Sequence, residues 1–181
     1  TLFDDAGTGV EACRDLAERD PEGPAEERVV SLATRVADLD READELEAFI
    51  KSRAPVAAPN LAALAGAVLA ARLISLAGGL ETLAKKPSGT LQVLGAEDAL
   101  FAHLRGHGSS PKHGVIYTHE YVRGTRPEDR GSASRALAGK LTIAARIDHY
   151  SGDYRPELEA ELDERMRTIR ARAAGGGGDA E

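Results

Sequence analysis

The chain has 181 residues, enough for one medium domain with an extension and for a sizeable buried core. Its formal net charge is −7, and it contains no Trp, four Tyr and three Phe. A uniformly basic nucleic-acid binder and an aromatic-rich core are therefore both excluded, and the interior must be built from Leu, Val, Ile and Ala.

The charge is unevenly spread. Residues 1–55 carry −8 and residues 151–181 carry −3, whereas residues 56–94 and 95–150 carry +2 each. His103, His107, His113, His119 and His149 all fall within residues 95–150. Dispersed carboxylates on a lysine-poor surface suit a cytoplasm crowded with salt, so a halophilic source is the expectation. The single cysteine, Cys13, cannot form an intramolecular disulfide, and no signal-like stretch follows Thr1; both point to a reducing, cytoplasmic setting. The start at Thr1 rather than Met reads as that of a fragment.

Residues 1–24 hold Gly7, Gly9, Pro21, Gly23 and Pro24 among scattered charges, which predicts a loosely ordered remnant with a short helix at 10–17. From Ala25 the pattern changes. Val29, Leu32, Val36, Leu39, Ala43, Leu46 and Ile50 recur at alternating spacings of three and four, the a/d seam of a coiled-coil helix over residues 25–54. A surface helix of its own globular domain is the plainer alternative, but so narrow a stripe favours a helical partner.

Pro55 is expected to stop that helix and Asn60 to cap the next, whose apolar face is Leu61, Leu64, Val68, Leu69, Leu73 and Leu76. This run approaches the length of a short membrane span, but Gly66 and Arg72 interrupt it, so a buried helix and no membrane contact are expected. Gly78-Gly79 ends it. A short helix at 80–86, a break at Pro87 and a restart at Ser88 or Thr90 lead to Gly95, after which residues 96–104 read as helix. Gly106 to Pro111 make a loop, Val115, Ile116 and Tyr117 read as extended, and residues 127–149 form a long helix ended by Ser151-Gly152. Pro156 opens a last helix with Leu158, Leu162, Met166 and Ile169 on one side, before a flexible tail at 174–181. The class is all-α.

No catalytic template fits. There is no phosphate-cradling glycine loop ending in Lys-Ser or Lys-Thr, no dinucleotide fingerprint and no nucleophile-elbow serine. His103 and His107 stand four apart, but Gly106 and Gly108 break the helix that would pair them, so neither metal nor cofactor is expected. An enzyme is the weakest of the readings.

Several separate runs, in order, carry a resemblance: Ala58-Pro59-Asn60-Leu61; Ala71-Arg72-Leu73-Ile74-Ser75-Leu76-Ala77-Gly78-Gly79-Leu80; and Leu91-Gln92-Val93-Leu94-Gly95-Ala96-Glu97-Asp98-Ala99-Leu100-Phe101. They continue through Pro111-Lys112-His113-Gly114-Val115-Ile116-Tyr117 and Arg130-Gly131 to Arg135-Ala136-Leu137-Ala138-Gly139-Lys140-Leu141 and Ala144-Ala145-Arg146-Ile147-Asp148. Over about residues 55–170 the chain resembles the helical Nop domain of archaeal box C/D ribonucleoproteins, a relative of the nucleolar and spliceosomal Nop proteins, and the domain is expected to span residues 55–173. What the resemblance implies is a non-catalytic scaffold. Such a scaffold binds a kink-turn box C/D guide RNA together with a ribosomal-protein-like kink-turn-binding protein, positions the 2′-O-methyltransferase fibrillarin for RNA methylation, and pairs with a second copy through a coiled coil.

The resemblance points to Gly95, Ala96, Glu97, Lys112, His113, Arg130, Arg135 and Lys140 as RNA-facing, and to Asp98, Leu100 and Phe101 as a partner interface. Backbone N–H groups at a helix start and basic or aromatic side chains on a loop are suited to phosphates and unstacked bases. Two departures bear on this. Asp98 stands where the family usually has Lys, and Pro127-Glu128-Asp129 replace a customary aromatic before Arg130. Residues 1–54 supply one heptad helix where family members carry a fibrillarin-binding domain and two long helices. At roughly 1 M salt the screening length is only about 3 Å, so a shallow salt dependence and reliance on the kink-turn protein are expected. The competing reading is a helical docking module that touches no RNA.

Overall fold

The computed structural model describes residues 9–175. The chain divides into two units, one up to Phe49 and one from Ile50, and each is described by itself. Ten α-helices and one 3-10 helix, and no strand, occur among the described residues.

In the first unit α1 (Gly9–Ala17) lies against α2 (Pro24–Ala57). Ala12 and Leu16 are buried, as is Ala33 of α2, and the Arg14 guanidinium is hydrogen-bonded to Asp40 and stands 3.7 Å from Asp44. With 3.6 residues per turn, Ala33 and Asp40 lie roughly 90° around the helix from the seam. The stripe is therefore left open: Leu32, Leu39 and Leu46 are 64%, 71% and 53% exposed. The short helix expected at 10–17 is present as α1, and the remnant before Gly9 lies outside the described residues.

Pro55 does not stop α2, contrary to the sequence expectation. It sits inside the last turn, where its missing N–H costs one ladder bond, and the Ala58 N–H still reaches the Ala54 carbonyl at 2.9 Å. The break comes at Ala58, the N-cap of α3 (Pro59–Ala65). Asn60 is likewise not a cap. It is buried within α3, and the cap is supplied from far away: both Asp148 carboxylate oxygens accept hydrogen bonds, Oδ1 from the Asn60 N–H at 3.0 Å and Oδ2 from the Leu61 N–H at 2.8 Å.

The apolar run is two helices, not one. Gly66, at φ 76°, separates α3 from α4 (Ala67–Ala77) with a bend of 117°. No single helix among the described residues is long and apolar enough to cross a membrane; this bent pair passes by length and composition together, and Leu61, Leu64, Leu69 and Leu73 are buried in the core. Gly78 is left-handed and closes α4, its N–H and that of Gly79 reaching back to Ser75 and Ile74.

Two short helices, α5 (Leu80–Lys85) and α6 (Ser88–Val93), then lead to α7 (Glu97–Leu104). Residues 115–118 form a 3-10 helix rather than the expected extended segment, because Val115 and Ile116 must both turn inward to be buried. A one-turn helix, α8 (Glu120–Arg123), follows, and α9 begins at Arg130, three residues later than expected, with residues 127–129 in a turn.

Helix α9 (Arg130–Tyr150) is the axis of the second unit, touched by α3, α5, α6, α8 and α10 (Glu157–Gly175). Its buried face is Ala133, Ser134, Leu137, Ala138, Leu141, Thr142, Ala144 and Ala145. These side chains are mostly small, so surrounding backbones can approach closely. Leu158, Leu162, Met166 and Ile169 of α10 are buried, as the periodicity predicts. Helix α10 takes in residues 174–175 of the expected tail, and the remainder lies outside the described residues.

Candidate RNA interface

Two motifs separated by a glycine-rich loop are stitched together by backbone. Gly95, at φ 82°, turns the chain out of α6, and the Ala96 N–H returns to Val93 at 2.9 Å. The Gln92 amide donates to the Lys112 carbonyl at 2.7 Å, the Gly114 N–H to Gln92 O at 2.8 Å and the Val115 N–H to Leu94 O at 2.8 Å. At Gly114 a Cβ would lie 2.0 Å from the Leu94 carbonyl oxygen, so no other residue permits this approach. Lys112 and His113 are thereby set beside the Gly95-Ala96 turn.

From there His113 stacks on Tyr117, with ring centroids 4.6 Å apart and planes 21° off parallel. The Arg130 guanidinium lies 5.4 Å from the same ring, and its Nε donates to the Thr125 carbonyl at 3.0 Å. Tyr117 thus gathers His113 and Arg130 into one cluster. Burial lowers the His113 pKa, against a hydrogen bond involving its own backbone, and the neighbouring charges of Arg130 and Lys112 lower it further. At neutral pH the ring is uncharged and offers a stacking face and hydrogen bonds, leaving the positive charge to Lys112 and Arg130.

At the start of α7 the Glu97 carboxylate accepts the Gly95 N–H at 2.8 Å and is held below the usual carboxylate range by that bond and by its own N–H. It caps locally. Helix α7 has no buried residue: Phe101 and Leu104 are 55% and 69% exposed, Leu100 is half-buried and Asp98 exposed. A helix with this much uncovered apolar surface, reached through a left-handed glycine turn, is poorly explained by the packing of its own chain.

The remaining two basic positions lie elsewhere. Arg135 is exposed on another face of α9, and Lys140 is drawn toward α10, where its Nζ pairs with Glu161. Both line a groove between those helices, with Gly139 and Arg165 also in its wall. Among the described residues no group of three or more His, Cys, Asp or Glu side chains is placed to hold a metal ion, and His103 Nδ1 lies 3.1 Å from the Gly108 carbonyl. Sequence reading missed the organising role of Tyr117 and Gln92. The four-residue spacing from His113 to Tyr117 carried a signal, but it is visible only once residues 115–118 are helical rather than extended.

Comparison with known proteins shows the family and the fold. Residues 11–168 match the family described as Nop, snoRNA binding domain, fibrillarin. An uncharacterised NOP5 family protein of Methanocaldococcus jannaschii is 50% identical over 143 residues, which are 78% of this chain and 34% of that one. Nucleolar protein 56 of Schizosaccharomyces pombe is 43% identical over 69% of this chain and 25% of its own length, and the human protein of that name is 37% identical over 76% and 24%. The crystal structure of a fibrillarin/Nop5p complex contains a chain that superposes with a TM-score of 0.64 at 30% identity, covering 88% of this chain and 59% of that one. The chain therefore spans about a quarter to a third of the length of these curated relatives. With its family matched over most of its length, the chain belongs to the Nop family.

Proposed function

We propose that this chain is a non-catalytic RNA-binding scaffold of a box C/D ribonucleoprotein. It binds a kink-turn RNA already held by a ribosomal-protein-like partner and places fibrillarin for 2′-O-methylation. The observation that carries the reading is the backbone stitch that sets Lys112 and His113 beside the Gly95-Ala96 turn, with Tyr117 joining His113 to Arg130, next to an uncovered apolar helix. Cationic and stacking groups serve the RNA, and Leu100, Phe101 and Leu104 serve the protein partner. The fibrillarin role is supported by the complex named for the structural neighbour. The open seam of α2 supports pairing with a second copy, and the acidic, lysine-poor surface supports a salt-rich cytoplasm as the setting.

The test is a gel shift on a kink-turn RNA with and without the kink-turn protein, using Lys112→Ala, Arg130→Ala and Phe101→Ala. A shift that needs both proteins and weakens in the first two variants supports the reading. No shift in any combination leaves a docking module, the reading that the exposure of Phe101 and Leu104 favours on its own.

A further inference from the structure

Helix α9 contains Gly139 in its interior, and a Cβ there would meet nothing within 4 Å. Glycine weakens a helix interior relative to alanine, so the chain gives up stability at a position where its own packing asks for nothing. That position lies in the wall of the α9–α10 groove, which encloses about 820 Å³ and continues along α9 from Ser132 past Ala136 to the partly exposed Ile143. At 1.5 Å per residue this run is about 16 Å long, the length of several nucleotides.

The charges along the groove are sorted. Glu161 is taken by Lys140, and Glu164 by Arg167 at 2.7 Å. Arg135 on α9 and Arg165 on α10 have no ion-pair partner among the described residues, and both side chains border the groove. Two uncompensated guanidiniums over a low, largely apolar floor suit a strand of linked phosphates whose sugar edges pack on the floor, since a planar fork binds phosphate in two-point fashion.

We propose that this groove seats a length of RNA sugar-phosphate backbone, with Arg135 and Arg165 holding phosphates from its two sides and Gly139 allowing the strand to approach α9 closely. The inference rests on the RNA-scaffold reading and extends it to α10, where Arg165 becomes an RNA-contacting residue. It also reassigns Lys140, which neutralises Glu161 and keeps an acid from facing the phosphates.

The experiment is fluorescence anisotropy of a kink-turn RNA carrying a stem of about ten base pairs, with the kink-turn protein present, at several salt concentrations. Arg165→Ala and Gly139→Leu are each expected to weaken binding about tenfold, and Gly139→Leu to melt no lower than the unaltered chain, because leucine favours helix and has open space. Arg165→Ala should also flatten the salt dependence. Unaltered affinity in both variants, while Lys112→Ala binds poorly, overturns the groove assignment and leaves the scaffold reading standing. Unaltered RNA affinity with loss of a protein from the assembly overturns it in favour of a protein occupant. Failure of the unaltered chain to bind RNA removes both the reading and the inference.

Discussion

The Asn60 side-chain amide donates to Asp148 Oδ1 at 2.6 Å, joining the start of α3 to the end of α9 across 88 positions of sequence. The same carboxylate accepts the Asn60 and Leu61 backbone N–H groups, while Asn60 also donates to the Asp153 carbonyl at 2.7 Å and accepts the Arg155 N–H at 2.7 Å. One buried amide and one carboxylate therefore cap a helix, close the loop after α9 and fix where α10 begins.

Asp148→Ala removes an acceptor of three hydrogen bonds and strands their donors, so a loss of about 3 kcal/mol is expected in urea unfolding. Asn60→Ala should cost a similar amount, and the double variant much less than the sum, because both act on one network. Additive losses would show that the network is not shared.

Gly114→Ala places a methyl group 2.0 Å from the Leu94 carbonyl oxygen, whereas Gly89→Ala in α6 meets nothing within 4 Å. The first is expected to release the 105–114 loop from α6 and weaken RNA binding by at least tenfold; the second is expected to be neutral or slightly stabilising. Comparable affinities for the two variants would mean that the backbone stitch does not position Lys112 and His113.

His119 ties α3 to α8: its Nδ1 accepts the Tyr121 N–H at 3.1 Å, so the proton sits on Nε2, which donates to the Leu64 carbonyl at 3.0 Å. Burial pushes its pKa below the ordinary value, more than the Leu64 bond and Glu120 raise it. A histidine whose folded pKa is depressed takes up its proton more readily in the unfolded chain. Its contribution is therefore complete above about pH 6.5 and is lost as the pH falls toward the folded value. His113 shifts in the same direction. The urea midpoint should be level above pH 7 and decline through pH 6, and His119→Asn should be less stable at pH 7.5 with a shallower decline. An identical decline in the variant would assign the titration elsewhere.

The open seam of α2 makes self-association testable without threatening the fold. Leu39→Glu with Leu46→Glu alters two side chains that are 71% and 53% exposed, so the single-chain unfolding free energy should move by less than about 0.5 kcal/mol. Sedimentation at working salt is expected to show a concentration-dependent dimer for the unaltered chain and a monomer for the variant. Equal masses at every concentration would mean that the seam does not pair copies of this chain.

Much of the fold was legible because its signals act over a few residues. Gly78-Gly79, Pro87 and Gly95 mark boundaries through the backbone angles they permit, and the spacing of Leu158, Leu162, Met166 and Ile169 announces the buried face of α10. The placement of Gly95 and Ala96 at a helix start and of Lys112 and His113 on a glycine-rich loop was legible too, because glycine and proline mark such boundaries locally.

What lay beyond reach depended on partners distant in sequence. Pro55 stays helical because the ladder resumes at Ala58, and Asn60 looks like a cap until Asp148 is seen to supply one. Three consecutive apolar residues, Val115, Ile116 and Tyr117, have no period of their own, so only the core beneath them decides for a 3-10 turn. That turn brings His113, Tyr117 and Arg130 together, while Glu161 pulls Lys140 away from them. Alone, the sequence determined the all-α class, most of the helix boundaries, the loop chemistry and the family. Which basic side chains share a surface was decided only in the tertiary structure, because a local pattern sets the face on which a residue lies but not the charge or ring that meets it there.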